Sequence, residues 1–347
     1  MRIVISGYYG YGNTGDEAIL AGMLKTLRAE RAELEVTVIS GQPKQTARDH
    51  AVEAIARVRP GPLFSALRAS DGLVSGGGGL LQDRTSARPV AYYAGVTQLA
   101  RLLGRPYVIY AQGLGPIHRA PNRRVAAVML NGAAYCSLRD KDSIALARAI
   151  GTRRFIDLVA DPALALESHA SRAASPYLVV AVRDWPTRID YIPAIRAALE
   201  ELAGELTIVA LPMQGAADLE VSRAVVSGIR GATVAAPTTT LTEHLAILGG
   251  ASLVIGMRLH ALILAAGAGV PAIAVSYDPK VDAFAGQVGQ PILGHVSRPL
   301  MPTTIVKLAR GELGRDLAPY RDRVAELRSG LRRVAIASLA ALTDGHR

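Results

Sequence analysis

The sequence predicts two doubly wound α/β domains followed by a helical C-terminal segment. Three observations lead there. The chain has 347 residues, enough for two domains at roughly 100–200 residues each. Short β-rich runs alternate with longer helical patterns along most of its length. Those runs are continuously apolar rather than alternating, which is how parallel strands buried on both faces read.

In the first half the candidate strands are RIVIS, EVTVI, DGLVSG, YVIYAQ, AYCSL and FIDLVAD. In the second half they are YLVVAVR, LTIVALP, ATVAA, ASLVIG and PAIAVSY. Helical patterns fall between them, for example over 16–28, 90–103, 189–203 and 242–248. This βαβα rhythm is that of Rossmann-like domains. It pauses in ALESHASRAASP, small and polar with no strong period, which reads as a linker over 166–176. The linker separates an N-terminal Rossmann-like domain, 1–165, from a second, 177–300. Beyond Pro299 the pattern is helical over 301–347, with YRDRVAELRSGLRRVAIASLAALTDG as one long amphipathic helix.

Half the residues are apolar, so a sizeable core forms and a disordered chain is excluded. The net charge is +10, nearly all from arginine, since Lys occurs only at positions 25, 44, 141, 280 and 307. Such a chain favours anionic partners, although an arginine-rich coat on an ordinary surface gives the same number. The single cysteine, Cys136, rules out an internal disulfide and fits a reducing compartment. It lies in AAYCSLRD, a buried strand by pattern, and reads as core rather than nucleophile. The N-terminal apolar run is too short for a signal peptide, and LHALILAAGAGVPAIAV falls short of the ~20 residues a membrane span needs. The expectation is a cytoplasmic protein able to touch the inner face of a membrane.

In doubly wound domains ligands sit outside the carboxyl ends of the strands, so the loops there decide the function. The opening loop, GYYGYGNTGDEA, carries Gly7, Gly10, Gly12 and Gly15, with Asn13, Asp16 and Glu17 beside them. Thr14 and Glu17 have capping-box spacing, and glycines allow a close backbone approach to a ligand. The loop is neither G-x-G-x-x-G nor a P-loop. Two carboxylates at a helix start suit sugar hydroxyls better than phosphate. The second loop, SGGGGLLQDRTS, sets Gly77 and Gly78 beside Gln82 and Asp83, a polyol or phosphate site or a flexible turn. The third, AQGLGPIHRA, offers Gln112 and Gly113. In the fourth, SLRDKDS, Arg139 is either an anion fork or part of an Arg–Asp helix cap. The fifth is the sharpest. In VIGMRLHALILAAGAGVPAIAVSYDPKV, Arg258 and His260 follow one strand and Lys280 the next. Converging cations and an imidazole suit a small, multiply charged anion. The seven histidines are scattered, with none at metal-ligand spacing, and G-x-S-x-G is absent.

GYYGYGNTGDEAIL, GGGGLLQD, AQGLGP, SLRD, RLHALILAAGAGVP and YDPKV occur in that order. Together they resemble the polysaccharide pyruvyl transferase family, in particular its bacterial CsaB type, over about residues 2 to 290. The resemblance implies a GT-B-like arrangement of the two domains with an active-site cleft between them. It implies transfer of the enolpyruvyl unit of phosphoenolpyruvate to a sugar, giving a cyclic ketal and free phosphate. The acceptor it implies is a β-linked N-acetylmannosamine on a lipid-linked cell-wall glycan precursor, whose polymer anchors S-layer proteins. It assigns Arg139, His260 and Lys280 to binding or activating phosphoenolpyruvate, which is a co-substrate; no cofactor and no metal is expected.

On this reading His260 is the general acid, and Asp16 or Asp83 takes a proton from the acceptor hydroxyl. Arg258 binds phosphate or braces its helix. Tyr8, Tyr9 and Tyr11 offer faces for pyranose stacking, and the arginine excess suits peripheral contact with an anionic membrane around the lipid-linked acceptor. Two other readings stay open. One is a GT-B glycosyltransferase using a nucleotide sugar, with Asp278 or Asp282 near the ribose. The other is a non-catalytic sugar- or lipid-binding protein. Nucleic acid is a poor fit, because the charge is spread and no basic, polar recognition helix stands out.

Overall fold

The computed structural model describes residues 1–84, 86–168, 170, 173–237 and 240–344. The chain divides into two compact units. The first comprises Met1–Tyr11, Asp16–Ala165 and the residues from Leu327 onward; the second comprises Gly12–Gly15 and Leu166–Glu326.

The first unit is built on a parallel eight-stranded sheet: β1 (Arg2–Tyr9), β2 (Glu35–Ser40), β3 (Glu53–Ala56), β4 (Gly72–Ser75), β5 (Gly78–Leu81), β6 (Tyr107–Leu114), β7 (Tyr135–Leu138) and β8 (Asp157–Leu158). Its order is β3-β2-β1-β4-β6-β7-β8, with β5 paired to β6. The second unit holds a parallel six-stranded sheet: β9 (Tyr177–Ala181), β10 (Thr207–Ala210), β11 (Thr233–Val234), β12 (Leu253–Gly256), β13 (Ala272–Ser276) and β14 (Ile292–His295), in the order β11-β10-β9-β12-β13-β14. Both sheets are doubly wound. Their strand orders reverse between β1 and β4 and between β9 and β12, and those reversals mark the expected ligand positions.

The central strands form because their runs are apolar on both faces. Every residue of β4, β6, β12 and β13 is buried. Each fully buried Val, Leu or Ile stabilises by about 1.5–3 kcal/mol relative to exposure. Helix Leu259–Gly267 is apolar nearly all round and accordingly buried along its length, apart from His260. The strands that escaped the sequence reading, β3, β5 and β14, are each four residues long. FIDLVAD contributes only the two-residue β8.

The C-terminal segment forms helices Pro302–Leu313 and Ala318–Asp344, and the second supplies residues to both units. Positions 169 and 171–172 of the expected linker lie outside the described residues. Cys136 is buried, and burial pushes its thiol up to about 12, so it is core as expected. No helix among the described residues is long and apolar enough to cross a membrane.

Candidate active site

In the second unit the charged groups gather at the carboxyl edge of β9, β12 and β13, three adjacent strands. Neighbouring parallel strands lie about 4.8 Å apart, so the loops leaving them converge. Arg258 occupies the N-cap position of helix Leu259–Gly267 after β12, without a side-chain capping hydrogen bond, and His260 is in its first turn. The guanidinium of Arg258 is ion-paired to Asp218, whose other oxygen accepts from the backbone N–H groups of Met213 (3.1 Å) and Gln214 (3.0 Å). This buried pair ties the loop after β10 to the loop after β12. Arg258 Nε has no hydrogen-bond partner among the described residues. Lys280 follows β13, with Nζ 3.7 Å from Asp278 and 5.7 Å from the centre of the Tyr277 ring. Asp278 also caps the helix Pro279–Val288 through the Lys280 N–H at 3.2 Å.

Sequence reasoning missed one member of this edge. Arg183, just past β9, places its guanidinium 5.1 Å from the Trp185 ring and 5.1 Å from the Tyr277 ring, and donates to the Tyr277 hydroxyl at 3.3 Å. Trp185 and Tyr277 meet edge-to-face at 4.7 Å. Arg183 and Lys280 therefore flank one aromatic ring, and Arg183 stands at the β9–β12 reversal. A cation at the carboxyl end of a buried strand, in YLVVAVR, was the available signal.

The opening motif belongs here in part. Gly12–Gly15 clusters with the second unit. Thr14 N–H donates to the Met213 carbonyl (3.2 Å), and the Thr14 hydroxyl lies 3.4 Å from His244 Nε2. Asn13 accepts from the Gly15 N–H at 3.0 Å. A Cβ built on Gly15 would fall 2.1 Å from Nδ1 of His260. Gly12 adopts a positive φ of 69° with open space where a Cβ would stand. The capping box expected of Thr14 and Glu17 does not form. The Glu17 carboxylate instead accepts from the Gly10 N–H (2.7 Å) and pairs with His50 (2.8 Å), long-range partners that local spacing cannot reveal.

In the first unit, Asp16 faces the glycine loop: a Cβ on Gly78, where φ is +98°, would lie 3.3 Å from Asp16 Oδ1. Gly77 packs on Ile19, and Gly7 and Gly76 accommodate the ring of Tyr9. Tyr9 is buried and offers no face to a sugar, while Tyr8 and Tyr11 remain exposed. Gln82 accepts from the Arg84 N–H in its own turn.

Asp83 is committed to the fold. Its carboxylate is buried and accepts from His118 N–H (2.7 Å), Arg119 N–H (2.9 Å) and Asn122 Nδ2 (3.0 Å). Burial alone would raise its pKa, but these donors outweigh it and hold the carboxyl below its usual value. A base so fully occupied makes Asp16 the better candidate of the two.

Gln112 is wholly buried and donates to Ser75 at 2.7 Å. Gly113 leaves room for Arg139, whose guanidinium pairs with Asp161 at 2.8 Å and lies 3.8 Å from Asp140. Asp140 caps the following helix by accepting from Ser143 N–H at 2.6 Å. Of the two accounts of SLRD, the cap is therefore present, and Arg139 is held by carboxylates on both sides.

Two Rossmann-like units with charged loops at their carboxyl edges describe an enzyme of the GT-B fold class. A Listeria monocytogenes protein described as a UDP-N-acetylglucosamine 2-epimerase superposes with a TM-score of 0.68 at 14% identity, covering 99% of this chain and 96% of that one. The UDP-GlcNAc 2-epimerase of Neisseria meningitidis, solved with UDP-GlcNAc, gives 0.62 at 12% identity, covering 99% and 100%. The ADP-heptose heptosyltransferase II of E. coli gives 0.51 at 13%, covering 90% and 98%. At these identities the likeness shows the fold alone.

The sequence is more specific. A family model for polysaccharide pyruvyl transferase matches residues 13–279. The amylovoran biosynthesis protein AmsJ of Erwinia amylovora is 22% identical over 392 aligned positions, 90% of this chain and 92% of that protein. The chain belongs to the polysaccharide pyruvyl transferase family, and it is a transferase.

Proposed function

We propose that the protein moves the enolpyruvyl unit of phosphoenolpyruvate onto two hydroxyls of a sugar in a lipid-linked glycan precursor, forming a cyclic ketal and releasing phosphate. On the CsaB-type motif set the acceptor is a β-linked N-acetylmannosamine, and the finished polymer is one that anchors S-layer proteins. The observation that supports this best is the cationic edge of β9, β12 and β13: Arg183, Arg258, His260 and Lys280 stand on adjacent strand ends at and beside the β9–β12 reversal. Phosphoenolpyruvate carries a carboxylate and a phosphate, and planar guanidinium groups suit both. Arg139 joins the set on its motif, its fork held in place by Asp161.

His260 delivers a proton to the methylene carbon, and the carbon bearing the phosphate gains oxocarbenium character. One sugar hydroxyl attacks that carbon and gives its proton to Asp16. The C–O bond to phosphate breaks, the second hydroxyl closes the ketal, and its proton leaves with the phosphate. Two hydroxyl protons are thus lost, one replacing that spent on the new methyl group and one departing on phosphate. The cations stabilise charge on the leaving phosphate. The protein would work at the cytoplasmic face of a membrane, where the lipid-linked acceptor is presented and where its arginine excess suits anionic lipid.

Ligand protection against heat unfolding tests the substrate class. Phosphoenolpyruvate at 100 times its Kd stabilises by about 2.7 kcal/mol, while UDP leaves the midpoint unchanged. Protection by UDP and none by phosphoenolpyruvate would favour a nucleotide-sugar glycosyltransferase.

A further inference from the structure

At the carboxyl edge of β3, β2 and β1 in the first unit, a second group of residues has no part in the chemistry above. Tyr8 and Tyr11 stack with ring centres 4.3 Å apart and planes 14° from parallel, and both are about two-fifths exposed. The Tyr11 ring rests on Gly41, just past β2, where a Cβ would come within 2.6 Å of it. Arg57, just past β3, lies 3.9 Å from the centre of the Tyr92 ring, 5.3 Å from that of Tyr93 and 6.0 Å from that of Tyr11. It has no carboxylate ion-pair partner among the described residues. The Tyr93 hydroxyl is buried without a hydrogen-bond partner among those residues, while Arg57 reaches toward the hydroxyls of Tyr11 and Tyr92.

A half-buried guanidinium normally finds an anion, and buried hydroxyls normally find a partner. Here the neighbours are phenol rings. Burial raises the pKa of Tyr92 and Tyr93 while Arg57 pulls it down, and both remain above the usual value. The phenols therefore stay neutral and leave the arginine charge uncompensated. Beside it stands an exposed, pre-stacked aromatic face, rigid and able to pack on a sugar ring at small entropic cost.

We propose that Tyr8, Tyr11, Arg57 and Tyr92 form a subsite for an acidic saccharide, its pyranose ring on the Tyr8–Tyr11 face and its phosphoryl or carboxylate group on Arg57. The subsite rests on the transfer reading only in that its occupant is an acidic unit of the acceptor glycan, next to the sugar that receives the pyruvyl group. Binding itself involves no phosphoenolpyruvate.

The test is calorimetric titration of the full chain with N-acetylglucosamine 1-phosphate, methyl glucuronide, the neutral methyl N-acetylglucosaminide and inorganic phosphate. At low salt, at least one acidic sugar binds about tenfold or more tighter than the neutral glycoside. Which of the two does so tells a phosphoryl group from a carboxylate. The advantage shrinks as salt rises and disappears in Arg57→Gln. Tyr8→Ala, a change at an exposed position, weakens acidic and neutral sugars by similar factors. Equal binding of acidic and neutral sugars would overturn the subsite, as would inorganic phosphate binding as tightly as the sugar phosphate. If these titrations fail while phosphoenolpyruvate is turned over, only the subsite falls. If they succeed and no sugar is ever pyruvylated, the subsite stands and the transfer reading falls.

Discussion

Gly15 abuts the imidazole of His260 so closely that a Cβ would sit 2.1 Å from Nδ1. The two residues come from motifs 245 positions apart in the chain, and this contact gives the opening glycine loop a role in setting the histidine. Gly15 is not among the positive-φ glycines, so alanine suits its backbone, and the side chain alone causes the conflict. Gly15→Ala is expected to displace the imidazole and lower turnover about 100-fold, the scale of a ~1 Å misplacement, while circular dichroism and the melting midpoint stay near wild type. Wild-type turnover in this variant would remove the link between loop and histidine.

His260→Gln keeps a polar side chain of similar length but removes the proton donor proposed for the transfer. Turnover should fall by ~10²–10⁴, with the apparent affinity for phosphoenolpyruvate changed far less. A variant that binds phosphoenolpyruvate poorly yet turns over normally at saturation would make His260 a binding group instead of an acid.

Arg183 should act on the substrate anion. Arg183→Gln is expected to raise the KM for phosphoenolpyruvate by about 10–100-fold, the worth of a charged hydrogen bond, and to leave the acceptor KM unchanged. Lys at this position restores the charge but not the planar fork between Trp185 and Tyr277, so it rescues only in part. An unchanged phosphoenolpyruvate KM would reduce Arg183 to a packing residue.

Asp83 predicts stability rather than catalysis. Asp83→Ala strands the buried donors of His118, Arg119 and Asn122 and should cost roughly 2–4 kcal/mol in denaturant unfolding. The pH dependence has a definite sign. The folded pKa lies below the unfolded one, so the stabilisation is fully present above the unfolded value, near 4. It is lost as pH falls through the folded value. The difference in stability between wild type and Asp83→Ala should therefore narrow in acid. A widening gap would contradict the assignment.

Much of this was legible in the sequence. The strands β1, β2, β6, β9, β12 and β13 announced themselves because burial on both faces demands unbroken apolar runs. Short strands did not: GGLL and EAIA are four residues each, and their glycines or glutamate keep them from reading as apolar runs. Arg258, His260 and Lys280 were readable as strand-end cations in one region of sequence. Arg183 carried the same strand-end signal but was passed over, and Arg57 carried none; the significance of both comes from rings brought by distant segments, Tyr277 for the first and Tyr92 and Tyr11 for the second. The same blindness to long-range partners misassigned Glu17, which spacing linked to Thr14 and the fold gave to Gly10 and His50. Tyr9 looked like its neighbours Tyr8 and Tyr11 until strand alternation turned it inward.

The central claim is acceptor-dependent pyruvyl transfer, and the direct measurement is phosphate release from phosphoenolpyruvate with and without a β-N-acetylmannosaminide, followed by mass analysis of the sugar. The account predicts release that requires the acceptor, a product heavier by one pyruvate ketal, and loss of both in His260→Gln. No acceptor-dependent release across a panel of neutral and acidic sugars would contradict it and leave the cations of β9, β12 and β13 as a site for another anion.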